Sequence, residues 1–145
     1  MYLEPDNPIV KRCARGMELE GEGKSEEASK VFLEAWEQAS DDKEKFTAAH
    51  YVARHQQSIA DKLAWDEIAL NLALNINEDS VKGAYPSLYL NIAKGYEDLK
   101  EFDKAKQTYE TALTYTNFLH DDGYGKMIKG GVENGLARIK MHLKG

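Results

Sequence analysis

The feature that most constrains this chain is a recurrence. Three alanines, Ala35, Ala73 and Ala112, each stand directly before a bulky apolar residue: Trp36, Leu74 and Leu113. Three residues upstream of each lies a large side chain, Phe32, Leu70 or Tyr109, and the spacings between the alanines are 38 and 39 residues. A period of that size points to stacked supersecondary units, none of which buries its apolar face alone. Within each period the apolar residues recur at helical spacing, and no run alternates β-branched residues, so helices are expected and strands are not.

Seven helices are expected. The first covers residues 7–22, with Val10, Cys13, Ala14 and Met17 on one face, and stops at Gly21 and Gly23. Ser25 is the expected cap of a second, and Asp41 and Asp42 of a third that carries Phe46 to Ile59 and ends at Asp61. A fourth runs from Leu63 to Ile76, followed by a polar turn over Asn77–Ser80. Pro86 belongs at the start of a fifth helix carrying Leu88, Ile92, Tyr96 and Leu99. Asp103 starts a sixth, Asp121 to Gly123 break the chain, and a last helix begins near Tyr124.

The segment SLYLNIAKGYEDLKEFDKAKQTYETAL resembles a tetratricopeptide repeat at Tyr89, Ile92, Ala93, Tyr96, Phe102, Ala105, Tyr109 and Ala112. The residue types make physical sense. Small Ala93 and Ala105 let two helices approach closely, while Tyr96, Phe102 and Tyr109 fill the space between one pair and the next. The first unit keeps Gly16, Leu19, Ala28, Phe32 and Ala35 but carries Arg12 and Arg15 at apolar positions, as suits a terminal helix open to water. The second keeps Ala53, Leu70 and Ala73 but has Arg54 and Asp66 at the two small positions. The resemblance implies an all-α, right-handed α-α superhelix of three helix pairs plus a C-terminal capping helix. It would form one domain over 1–145, with repeats near 9–40, 43–76 and 82–119 and a cap over 124–143. The units are longer than the usual repeat of about 34 residues. The stretches YVARHQ, PSLYLNIAKGYE and YGKMIKGGVENGLARI also resemble a narrower group of small bacterial tetratricopeptide proteins. Some of these carry the product name rRNA adenine methyltransferase.

Composition narrows the function. A net charge of −6 argues against a nucleic-acid partner. No apolar run approaches the roughly 20 residues that span a membrane, and no secretory segment follows Met1, so a cytoplasmic protein is expected. One cysteine, Cys13, rules out an intrachain disulfide and a multi-cysteine zinc site. Charge is unevenly spread: residues 18–44 hold ten acids and three lysines, whereas residues 123–145 hold five Lys/Arg and only Glu133. Solvated faces explain this imbalance, and weak head-to-tail self-association is the alternative.

No constellation points to catalysis. A methyltransferase needs a strand, a glycine loop and a helix to hold its methyl donor, and an adenine enzyme adds an Asn/Asp-Pro-Pro-aromatic motif. Lys129-Gly130-Gly131 follows no strand, and the one Asn-Pro, Asn7-Pro8, is followed by Ile9. His50 and His55 are five apart, which places them about 140° apart on a helix rather than together on a metal. Cys13 sits among Val10, Ala14 and Met17, the setting of a packed thiol. Neither a cofactor nor a metal is expected, and the chain reads as a non-enzyme.

The resemblance implies that the first helix of each pair lines a concave groove. Register with the third unit then gives groove-facing pairs at i, i+4: Cys13 and Met17, Tyr51 and His55, Leu90 and Lys94, Lys129 and Glu133, with Ser87 and Asn91 beside Lys94. The expected binding surface is Tyr51, His55, Ser87, Asn91, Lys94 and Lys129, receiving a protein or peptide. A small-molecule sensor, an enzyme and a self-assembling module remain the alternatives. Arg54 and Asp66, at the close approach of the second pair, are expected to form a structural ion pair.

Overall fold

The computed structural model of the chain describes residues 3–144. It is all-α, with no strand among the described residues. The long helices are α1 (Pro8–Gly21), α2 (Ser25–Gln38), α3 (Asp42–Ala53), α4 (Ile59–Leu74), α6 (Tyr85–Asp98), α7 (Phe102–Thr114) and α8 (Gly123–Lys144). A single turn, α5 (Asp79–Lys82), and a 3-10 turn over Thr116–Phe118 complete the described elements. The helices fall into two compact units, residues 1–77 and 78–145. In the first, α1 pairs with α2 and α3 with α4; in the second, α6 pairs with α7, and α8 packs on both.

Local chemistry sets most boundaries. The Asn7 side chain accepts from the N–H groups of Ile9 (2.8 Å) and Val10 (3.3 Å), while Pro8 occupies the first turn, where no N–H is required. Asp41 caps α3 by accepting from Glu44 N–H at 2.8 Å. The α1–α2 and α6–α7 turns are built alike. Gly23 (φ 79°) and Lys100 (φ 64°) both adopt the left-handed conformation. In each turn the next residue donates back to the last turn of the helix, Lys24 to Leu19 O at 2.8 Å and Glu101 to Tyr96 O at 2.9 Å.

Three expected boundaries move. Ser25 is the first residue of α2 rather than its cap; Lys24 holds the cap position, with no side-chain bond. Helix α3 stops at Ala53, so Ile59 opens α4 instead of closing α3. Asp61 is a first-turn residue of α4, its N–H bonded to the Ser58 cap at 3.0 Å. The polar turn after α4 contains the extra helical turn α5.

Each unit has its own core. Phe32 lies at the centre of the first, among Ile9, Cys13, Leu19, Ala28, Ala35, Ala48 and Val52. Its ring fits because position 16 is glycine: a Cβ there would stand 2.6 Å from Phe32 Cζ. The second core joins Ala93, Ala105, Tyr109 and Ala112 to Val132, Leu136 and Ile139 of α8, with Tyr96 and Phe102 packed against it. Tyr109 is fully buried, and Gly135 of α8 leaves room for its ring.

Candidate functional site

In the first unit, α1 and α3 line a half-open pocket of about 130 Å³. Val10, Cys13, Ala14 and Met17 of α1 line it, with Thr47 and Tyr51 of α3 and Leu3 from the preceding segment. Its walls are apolar in practice, because the Thr47 hydroxyl donates to its own helix at Lys43 O, 2.8 Å away. Burial raises the Cys13 thiol to about 11, so it presents a neutral S–H and not a nucleophile. The result is a small compartment with an apolar lining.

Tyr51 is the wall that connects the cavity to the end of the helices. Its ring stacks on Phe32 at 5.0 Å, and His55, one turn further, stacks on the same ring at 5.5 Å. Glu20, in the last turn of α1, fixes the far side. Its two carboxylate oxygens meet His55 Nε2 at 2.7 Å and Arg54 Nη2 at 3.1 Å. The Arg54 guanidinium also lies 5.4 Å from the centre of the Tyr51 ring. Tyr51 and His55 are therefore brought together, on a shared platform.

The expected Arg54–Asp66 pair does not form. Arg54 follows the last residue of α3, its side chain 45% exposed and bonded to Glu20. Asp66 is buried on α4 and accepts instead from Lys62 Nζ, one turn earlier, at 2.7 Å. Desolvation raises the Asp66 pKa, and the Lys62 ammonium opposes that shift. Ala53, one position earlier, is buried, at 1% exposed.

In the second unit, Ser87, Asn91 and Lys94 are spaced at i, i+4 and i+7 along one face of α6. The Ser87 hydroxyl donates to Ala84 O at 3.1 Å, and Lys94 Nζ donates to Asp98 at 2.6 Å. Asn91 is half-buried and Lys129 is exposed on α8. Next to this face, Glu97 receives Arg138 of α8 through two bonds, 2.8 and 3.1 Å, and the Tyr109 hydroxyl at 2.6 Å. The bond from Arg138 holds the Glu97 pKa below the usual carboxylate range, against the effect of burial. Tyr85 and Tyr89 close on Tyr115, at ring distances of 5.3 and 5.6 Å, and so fill the space beside them with each other.

Residues 86–117, which span α6 and α7, match the family model described as tetratricopeptide repeat. Over those residues the chain is similar to a tetratricopeptide repeat. That match falls on the unit whose spacing resembles the family most fully, and tetratricopeptide repeats are protein-interaction scaffolds. Comparison with curated proteins and with solved structures gives no match.

Sequence spacing missed the glutamates that organise both units. Glu20 and Glu97 occupy the same register in their repeats, two periods apart, and each receives a basic residue from the helix that follows its own pair: Arg54, just past the end of α3, or Arg138 of α8. The signal was present. Continuing the i, i+4 ladder of Cys13 and Met17 by three residues reaches Glu20, and continuing Leu90 and Lys94 by three reaches Glu97.

Proposed function

We propose that this tetratricopeptide-repeat chain is a non-enzymatic scaffold that holds a peptide segment of a partner protein. The α1–α3 cavity would take one apolar anchor side chain. The observation that carries this reading is the meeting of Cys13, Met17 and Tyr51, residues of two successive first helices, around one apolar compartment. A volume near 130 Å³ is below the roughly 300–1,000 Å³ of sites that enclose a whole small molecule, which favours a side-chain anchor over a sensor. Around it, Tyr51 and His55 are already ordered by Phe32 and Glu20, so a partner loses little by binding them. On α6, Ser87, Asn91 and Lys94 offer a second, polar contact face, with Asn91 able to donate and accept and Lys94 to meet an acid. Lys129 supplies a further exposed cation.

Peptides selected from a random display library on the immobilised chain test this reading. The Ala14→Leu variant fills the cavity, and Asn91→Ala with Lys94→Ala strips the polar face. Both should stay folded and weaken the selected peptides. Unchanged affinity in both variants would move the site elsewhere.

A further inference from the structure

Helix α8 buries Ile128, Val132, Gly135, Leu136 and Ile139 and leaves its other side open. On that side Met127 and Met141 are 62% and 76% exposed. Between them lie Gly130, Asn134 and Ala137, at alternating steps of three and four residues. That spacing makes a straight seam along a helix, with small Gly130 and Ala137 on either side of a central Asn134 and a methionine at each end, which suits a second helix. Lysines 126, 129, 140 and 144 surround the seam; of these, Lys129, Lys140 and Lys144 have no ion-pair partner among the described residues. With Arg138 and the single acid Glu133, α8 carries a net charge of +4.

We propose that this face docks a second copy of the chain, receiving the acidic α2 of that copy head to tail. Charge chooses the occupant. Two α8 helices would set like charge against like, whereas α2 has four glutamates and one lysine. Glu26, Glu27 and Glu37 are exposed and lack an ion-pair partner among the described residues. Leu33, 43% exposed in the middle of the same helix, is the apolar knob, and the Gly130–Ala137 floor between two adaptable methionines is its seat. The lengths agree: α2 has 14 residues and Met127 to Met141 is 14 steps, about 21 Å in each case. Lys30, the one base of α2, has a counterpart in Glu133, the one acid of α8.

Sedimentation velocity of the full chain over a concentration series tests the proposal. At low salt the mass should rise with concentration, and at high salt association should weaken by about tenfold, as expected for a few exposed charge pairs. Glu26→Lys with Glu27→Lys, and separately Lys140→Glu with Lys144→Glu, should each be monomeric. An equal mixture of the two should associate again. Circular dichroism confirms that each variant is folded. A monomer at every concentration in low salt overturns the proposal. So does undiminished association of the Glu26→Lys, Glu27→Lys variant, which would assign the contact to α8 alone or to another face.

Discussion

Two glycines of α8, five residues apart, should respond in opposite directions to the same added methyl group. Alanine is favoured over glycine inside a helix by about 1 kcal/mol, because glycine loses more backbone freedom on folding. At Gly130 an added Cβ meets nothing within 4 Å, so Gly130→Ala should gain that amount. At Gly135 the Cβ would stand 2.9 Å from Tyr109 Cδ1 and closer still to Cε1 and Cζ. The ring cannot retreat: it is fully buried, and its hydroxyl is tied to Glu97 at 2.6 Å. Overpacking of this kind costs about 1–3 kcal/mol, and an overlap this deep belongs at the upper end. Gly135→Ala should therefore lose about 2 kcal/mol net, leaving the two variants about 3 kcal/mol apart. Urea unfolding followed by far-UV circular dichroism measures both. In a Tyr109→Leu background the penalty at position 135 should shrink, because the obstructing ring is gone. Equal stabilisation by both alanines would refute the packing of α8 against α7.

Lys100 takes the left-handed conformation that Gly23 takes in the equivalent turn, so Lys100→Gly should stabilise by about 0.5–1 kcal/mol and Gly23→Ala should destabilise by about 1, both read from urea midpoints. Burial, then the Arg54 and Lys62 charges, lower the His50 pKa from 6.5 to about 4. The unfolded chain then binds the extra proton first, so this stability is complete above about pH 6.5 and falls by about 3 kcal/mol as the pH drops to 4. A His50→Leu variant should flatten that part of the stability–pH curve; a curve parallel to the unsubstituted chain would refute the assignment. Glu97→Gln leaves Arg138 without its carboxylate and should cost about 1–3 kcal/mol by thermal unfolding. Because the Glu97 pKa is lowered, its contribution is present above the ordinary carboxylate range and lost as the pH falls through its folded value, a loss the Gln variant should not show.

What could be read in advance followed from how local each signal is. Helix content and the third repeat are written in side chains a few residues apart, so Ala93, Ala105, Tyr109 and Ala112 identify their hairpin unaided. The Gly23 stop is equally local. The second hairpin is harder to place from sequence because no glycine or proline ends α3. Its last turn is closed by Gln56, whose Nε2 donates to Val52 O at 3.1 Å, and by Arg54 and His55 reaching across to Glu20. A local clue did exist: Ser58 stands three residues before Asp61, the spacing of a helix start, and its hydroxyl caps α4. Placing the break there would have removed Arg54 from the helix interior and with it the reason to pair it with Asp66. Glu20 is a different case, since among ten acids between residues 18 and 44 nothing in its neighbours marks it. Only the repeat does. Carried by two periods, Glu20 falls on Glu97, and both hold a base from another helix of the same unit. A polar residue recurring at one register among variable neighbours is thus as informative about packing as a recurring alanine. In this chain it also explains why Tyr51 and His55, beside the cavity, are held in place by contacts within the unit itself.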